Sequence, residues 1–482
     1  MHIPNLQVLA PEAIILAFVL ALLLVDALSR RRRPALLGGL ALAGVVLAAA
    51  ASLYYWGDTA PAFQSMVVAD AYGLFGNLLF LLAAGLAAIM GMEAVRRFEL
   101  PGEIFALILI STLGMMLLGA AVNLVAVFLA LEILSISLYV LTASERDEWR
   151  SLEAGMKYFI LGGFASGFLL FGIAMIYGAT GTFSLAAIGA QGASLSALHD
   201  APLLAAGLIF LLIGFAFKVA LVPFQMWTPD VYEGAPSLVT AFMSAGAKAA
   251  GFVALIRILE TAFPYWRAEW SLALAVIAVL TMSWGNMAAL GQRSVKRMLA
   301  YSSIAHAGYI VIGVAVAGRA GYASVLFYLI CYTLMNVGAF AVILAMGHKS
   351  APREDIDDYA GLIRRKPGLA LAMALFMLAL AGIPLTAGFL AKLYVFSAAV
   401  VEGYAWLAAV ALVNAVISAY YYLRVAGRMF FGEAPTDAAP VRMSAPLGVV
   451  LALTALATVV LGVYPAPLLD AIQAAIRPLV GF

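Results

Sequence analysis

Apolar runs of about twenty residues recur about fourteen times along the chain, each cut from the next by a charged or Gly/Pro-rich break. They lie near 11–29, 35–56, 71–92, 104–120, 122–143, 157–177, 202–228, 235–259, 271–290, 299–318, 322–346, 368–398, 404–426 and 446–465. A helix rises about 1.5 Å per residue, so such a run crosses a hydrocarbon core about 30 Å thick. Of the 482 residues 65% are hydrophobic and 11% charged, whereas soluble chains carry about 25% charged residues. This chain cannot cover itself with a polar surface in water. The expected fold is an all-α polytopic membrane protein of about 14 transmembrane helices.

Several chemistries are excluded. Cys331 is the single cysteine, which rules out a disulfide framework, a Cys-ligated iron–sulfur cluster and a zinc cluster on this chain. Of His2, His199, His306 and His348 only His306 falls within an apolar run, so a membrane haem has no ligand pair and no metal site is expected. No Gly-rich loop ending in Gly-Lys-Ser/Thr is present, and no G-x-G-x-x-G follows a strand. The net charge of +2 offers nucleic acid no basic surface. The energy for any work must come from a partner or an ion gradient.

Positive charge is spread unevenly between alternate loops. With the N-terminus outside, the inner loops hold 20 of the 27 basic residues, among them Arg30–Arg33, Arg96, Arg97, Arg146, Arg150, Lys296, Lys349, Arg353, Arg424 and Arg442. The outer loops hold Arg257, Arg267, Arg319 and Arg477. The positive-inside rule then predicts both termini on the periplasmic side of a bacterial cytoplasmic (inner) membrane. The first run has no Lys or Arg before it and Arg30–Arg33 after it, the pattern of a span rather than a cleavable leader. The C-terminal PAPLLDAIQAAIRPLVGF reads as a short surface helix or an unordered tail.

Lys218, Lys248 and Lys392 belong to no loop. With Glu132 they sit deep within apolar runs, where each charge costs about 2.5–3.5 kcal/mol unless paired or hydrated. One Glu–Lys pair absorbs only two of the four, so a hydrated functional track accounts for them better. The cation type carries information. Arginines outnumber lysines 20 to 7 in this chain, yet every cation read as deeply buried is a lysine. Arginine stays protonated in any protein environment, whereas a buried lysine can release its proton. A carboxylate beside an amine strengthens its hold on the proton, and its withdrawal weakens it, which makes Glu132 a candidate switch. His306 is the other titratable group in a span, preceded by Tyr301, Ser302 and Ser303, whose hydroxyls can hold water for a relay.

Two runs contain proline, Pro223 and Pro384. Each removes a backbone donor, which frees the carbonyls of Val219 and Leu380, and irregular backbone at membrane depth is tolerated only against protein or a wet cavity. Both broken runs carry a buried lysine. If the runs are grouped as spans 4–8 and 9–13, each broken run is the fourth of its group, and Glu132 and His306 fall on the second. An odd number of spans separates the groups, so they are expected to form two inverted five-helix repeats, a transporter architecture with sites near the midplane. The expected divisions are 1–100, an N-terminal three-helix segment; 101–260 and 261–430, the two repeats; and 431–482, the last span and tail.

At these residues the chain resembles a known family. QRSVKRMLAYSSIAHAGYI (292–310), VPFQMWTPDVYEGAPSLVTAFMSAGAKAAG (222–251) and GIPLTAGFLAKLYVF (382–396) are similar to the antiporter-like membrane subunits of respiratory complex I, NADH-quinone oxidoreductase. Those subunits are related to subunits of multi-protein sodium/proton antiporters. Within the family the second segment looks like subunit N, the bacterial counterpart of mitochondrial subunit 2. Lys392 argues against the middle-sized subunit, which usually has glutamate there. The short stretch after Pro465 argues against the longest, which carries a lateral helix.

The resemblance implies a proton channel driven by redox chemistry elsewhere. Glu132 and Lys218 match the family's glutamate–lysine pair, Lys248 its central lysine, Lys392 its terminal lysine and Lys157 a further one. It also implies FMN, Fe–S clusters and quinone in partner subunits, with none on this chain, and the lipid bilayer as surroundings. Gln225 stands where related chains commonly have histidine and cannot titrate, and Leu385 replaces a frequent proline, an expected weakening of the second break. A sodium/proton antiporter subunit is the alternative, and a scaffold whose buried charges only fix packing is the reading from another class.

Overall fold

The computed structural model describes residues 6–29, 33–98, 101–192, 200–347, 353–434 and 443–480. Arg30–Arg32, Lys349, Arg442, His2, His199 and His348 lie outside the described residues. The helices are α1 (Ala10–Leu28), α2 (Pro34–Tyr54), α3 (Ala71–Ala94), α4 (Pro101–Ala120), α5 (Leu124–Thr142), α6 (Trp149–Thr180), α7 (Leu185–Gly192), α8 (Pro202–Val219), α9 (Trp227–Gly234), α10 (Ser237–Phe242) and α11 (Lys248–Ala262). They continue as α12 (Arg267–Leu290), α13 (Val295–Val316), α14 (Gly318–Met346), α15 (Leu362–Arg365), α16 (Pro367–Ala381), α17 (Ala387–Val401), α18 (Ala405–Phe431), α19 (Ala445–Val463) and α20 (Ala466–Val480). Among the described residues 13 helices are long and apolar enough to cross a membrane, and the shorter α16 and α17 flank a break within a further apolar run. The helical expectation misses one small hairpin, Ala60–Ala62 paired with Val67–Ala69, which caps α1 and α4 at one end of the bundle.

Burial is graded from the rim inwards. Leucines and phenylalanines of α1, α6 and α19 face outwards, while α10, α11, α13 and α14 are buried almost throughout. An exposed apolar helix is stable only in lipid, and helices apolar all round belong inside a large bundle. Glycines set the closest approaches. At Gly114 of α4 a Cβ would sit 2.5 Å from the Leu134 backbone of α5, and at Gly285 of α12 a Cβ would sit 2.5 Å from that of Ala305 in α13.

Two parts of the chain repeat the same local hydrogen bonds. Leu124 N–H donates to the Phe183 carbonyl and Leu185 N–H to that of Val122; Val295 N–H donates to the Glu354 carbonyl and Ile356 N–H to that of Arg293. Every residue of the second set lies the same number of positions beyond its counterpart. Asn123 and Ser294, the N-caps of α5 and α13, hold matching places, as do Gly114 and Gly285. At this register Glu132 matches Ser303, and His306 matches Ser135.

Both breaks precede their prolines, since a residue before proline is driven out of helical geometry. α8 ends at Ala220 in the left-handed region (φ 63°), with Leu221 N–H closing on the Ala216 carbonyl at 2.8 Å. α16 ends at Gly382 (φ 91°), with Ile383 N–H on the Leu378 carbonyl at 3.0 Å. This six-residue closure satisfies the helix end by itself. Leu385 does not weaken the second break, because Gly382 makes the turn and Leu385 follows in a left-handed conformation (φ 70°). A Cβ at Gly382 would lie 3.0 Å from Lys392 Cδ. Gly382→Ala is therefore expected to cost about 1–2 kcal/mol in backbone strain and to displace Lys392, seen as a lower melting midpoint together with lost activity.

The C-terminal segment is ordered as α20, with Ile472, Ala475 and Ile476 buried against α3 and α14. Arg257 and Lys296 depart from the expected loop positions, since both lie within helices. Arg257 lies within α11, 3% exposed, with Nη1 and Nη2 on the Asp70 carboxylate at 2.8 and 2.7 Å. Lys296 is buried in the first turn of α13, on the Ala235 carbonyl (2.7 Å) and Glu354 (3.1 Å). Buried cations are thus not all lysines, but these two are each neutralised by a carboxylate.

Candidate functional site

The three lysines predicted to be buried are buried: Lys218 is 5% exposed, Lys248 2% and Lys392 5%. Among the described residues none of their amines lies within ion-pair distance of a carboxylate, and each is held by uncharged oxygens. Lys218 Nζ donates to Ser135 Oγ at 2.8 Å. Lys248 Nζ donates to the Ser303 carbonyl at 2.6 Å and also to its hydroxyl. Lys392 Nζ donates to the carbonyls of Leu380 (3.0 Å) and Ala381 (2.8 Å) and sits 5.2 Å from the centre of the Tyr309 ring. The carbonyl expected to be freed at Leu380 is therefore occupied by the lysine of the same broken helix. Lys218 grows out of the end of α8, whereas Lys392 reaches back from α17 to the end of α16.

Glu132 and Lys218 do not touch. The Glu132 carboxylate accepts from Ser166 of α6, while Lys218 is held by Ser135. Ser166, Ser135 and Lys218 line one cavity of about 10 Å³, room for about one water. Glu132, expected deep in its span, is half-buried and does not itself line that cavity; it reaches it through Ser166, while Lys218 lines it beside Ser135. Glu132 and Ser135 lie on α5, Ser166 on α6 and Lys218 on α8, so the cavity sits where three packed helices meet.

Lys248 follows a π turn, Met243–Ala247, that widens the helix between α10 and α11. Ser244 in that turn accepts from Asn336 Nδ2 of α14 at 2.6 Å. Beyond Ser303 the polar groups continue. Ser302 shares a hydrogen bond with the Tyr422 hydroxyl, which lies 3.0 Å from His306 Nε2, and His306 Nδ1 lies 2.7 Å from the Tyr328 hydroxyl. Tyr332 has its ring centre 5.1 Å from that of His306 and its buried hydroxyl beside the same cluster. His306 is therefore suspended between two phenols and can accept from one while donating to the other.

The remaining predicted residues separate from this group. Lys157 pairs with Glu153 and Asp230, each at 2.8 Å, and Asp230 also holds Arg297, in a half-exposed charge cluster that ties α6, α9 and α13 together. Tyr301 faces Arg297 of that cluster rather than the lysines. Gln225 is buried in the first break, with no partner on Oε1 among the described residues. Sequence reasoning missed Ser135, Ser166, Tyr328 and Tyr422. The one signal for Ser135 was its place one helical turn after Glu132. It also missed Glu12, whose Oε1 accepts from Asn77 Nδ2 at 2.9 Å within the first three spans.

Comparison with known proteins bears on what this arrangement serves. Residues 121–418 match the family described as NADH:quinone oxidoreductase/Mrp antiporter, membrane region. The chain is 47% identical to NADH-quinone oxidoreductase subunit N of Trichlorobacter lovleyi, over 98% of this chain and 97% of the relative. It is 44% identical to the subunit N of Chloroflexus aggregans, over 97% and 96%. Among solved structures it is similar to a chain of respiratory complex I from Thermus thermophilus, with 36% identity, a TM-score of 0.82 and coverage of 96% and 99%. A chain of the Mrp complex from a Dietzia species shares the fold, with a TM-score of 0.88 at 22% identity over 99% and 98%.

Proposed function

Since the chain belongs to the subunit N family of NADH-quinone oxidoreductase, we propose that Glu132, Lys218, Lys248, His306 and Lys392 carry protons through it, driven by redox chemistry in partner subunits. NADH oxidation by quinone, through FMN and Fe–S clusters held by those partners, supplies the energy. Each charge moved against the membrane potential costs about 2.3 kcal/mol per 100 mV. The observation that carries the reading is that three buried amines are held by hydroxyl and carbonyl oxygens and, among the described residues, by no carboxylate. A neutral amine and an ammonium both fit such partners, so each site can load and unload.

A proton taken up on the cytoplasmic side reaches Lys218. When Glu132 and Lys218 approach across the water-sized gap, the carboxylate strengthens the amine's hold on the proton; when they separate, the proton passes on to Lys248. Ser303, Ser302, Tyr422, His306 and Tyr328 provide hydroxyl and imidazole stations from there toward Lys392. Uptake on the side of the basic loops places both termini on the periplasmic side. The matching hydrogen-bond sets, together with an odd number of spans between them, support two inverted five-helix units. Lys157 and Tyr301 serve the edge cluster in this scheme, and Gln225 orders water without titrating.

The test of the switch is a pair of serine substitutions in the intact complex. Ser135→Ala together with Ser166→Ala removes both hydroxyls between Glu132 and Lys218 and leaves every titratable group in place. Protons moved per NADH oxidised, measured in inside-out vesicles, are expected to fall severalfold. An unaltered ratio rules out the serine bridge as the coupling path.

A further inference from the structure

Two cavities meet at one side chain. The larger, about 1200 Å³, lies at the end of the bundle where Arg146, Arg150, Lys296 and Arg353 gather. The smaller is the water-sized space beside Lys218, and among the described residues Tyr139 of α5 alone lines both. Its hydroxyl occupies the place of a missing side chain, because a Cβ at Gly162 would sit 2.1 Å from Tyr139 Oη. The Tyr139 ring meets Tyr158 edge-on (centres 4.7 Å apart), and Tyr158 stacks on Trp227 (4.6 Å, 5° between planes). The Trp227 indole donates to the Phe217 carbonyl at 3.0 Å, next to Lys218 at the end of α8.

We propose that Tyr139 is the gate between a cytoplasmic uptake vestibule and the Lys218 cavity, and that the Tyr158–Trp227 stack ties its position to the break in α8. This rests on the uptake side assigned above. With the ring in place the passage narrows to a space for about one water, so continuous hydration from the vestibule is interrupted at Tyr139. A shift at the break moves Trp227 and Tyr158, and the ring they support moves with them. Loading of Lys218 and opening toward the cytoplasm are then one mechanical event.

The test uses the intact complex in inside-out vesicles, with Cys331→Ser and a reporter, Ala165→Cys, in the wall of the inner cavity. The probe is the permanently charged thiol reagent 2-(trimethylammonium)ethyl methanethiosulfonate, and its adduct is read on this chain by mass spectrometry. Labelling from the cytoplasmic side is expected to be slow with Tyr139 or Tyr139→Phe, which keeps the ring. It is expected to be at least tenfold faster with Tyr139→Ala. Trp227→Leu, which removes the stack but leaves the ring, is expected to speed labelling as well. A rate unaffected by Tyr139→Ala, or equal labelling from the opposite face, overturns the gate, and no effect of Trp227→Leu overturns its coupling to the break. The readout does not depend on pumping, so it stands or falls separately from the proton track.

Discussion

Complexes carrying Lys218→Met are expected to assemble and to lose proton pumping by at least about tenfold, equivalent to about 1.4 kcal/mol or more in the limiting step. Methionine is unbranched and flexible and fills most of the space of the lysine stem, so the packing at the end of α8 survives. What disappears is the amine proposed to take up and release the proton. The informative companion is Lys218→Arg. Arginine keeps the charge and can still donate to Ser135, but it does not deprotonate. It is therefore expected to be as inactive as Met. If the lysine only fixed helix packing as a cation, Arg would restore activity. Pumping at the normal rate in Lys218→Met would sink the proposed role of the residue, whatever Arg does.

The spans and both breaks were legible because each is written locally. A run of about twenty apolar residues needs no tertiary information to be read as a span, and a proline beside an orphaned carbonyl marks its own break. The buried lysines stood out for the same reason. Of the groups around them, Ser303 and the Leu380 carbonyl were in view and the rest were not. Ser135, Ser166 and Tyr422 are ordinary residues of apolar helices, and they matter only because helices far apart in sequence are brought together; His306 and Tyr422 are 116 positions apart. The register of the repeat was likewise hidden. Helix counting paired Glu132 with His306, whereas the matching hydrogen bonds pair Glu132 with Ser303. Arg257 was misplaced although it falls inside the run 235–259, because a charge two residues from a span's end reads as loop. Its burial depends on Asp70, which lies 187 positions away.

That pair supports the second large effect. Arg257→Met is expected to destabilise the folded chain by about 3–5 kcal/mol, the usual result of stranding one partner of a buried ion pair. Asp70 caps α3, accepting from Gly73 N–H at 2.7 Å. Burial pushes its carboxyl up, but Arg257 and the cap outweigh burial and hold it below the usual carboxylate range. In the native protein this group therefore contributes stability above about pH 4, the range of an unfolded carboxylate, and loses it as the pH falls through the lower folded value. With Arg257 gone burial dominates and the sign reverses, so the carboxyl binds its proton more tightly folded than unfolded. The deficit of Arg257→Met should then shrink as the pH is lowered from about 8 to about 5. Adding Asp70→Asn, which keeps the cap without the charge, should recover most of the loss at neutral pH. Melting midpoints of the detergent-solubilised complex measure all three, and a double variant as unstable as the single one would contradict the stranded-charge account. Protons moved per NADH should remain normal in whatever complex survives. Arg257 and Lys296 are each buried against a carboxylate that fixes the charge, whereas Lys218, Lys248 and Lys392 have no carboxylate within ion-pair distance among the described residues.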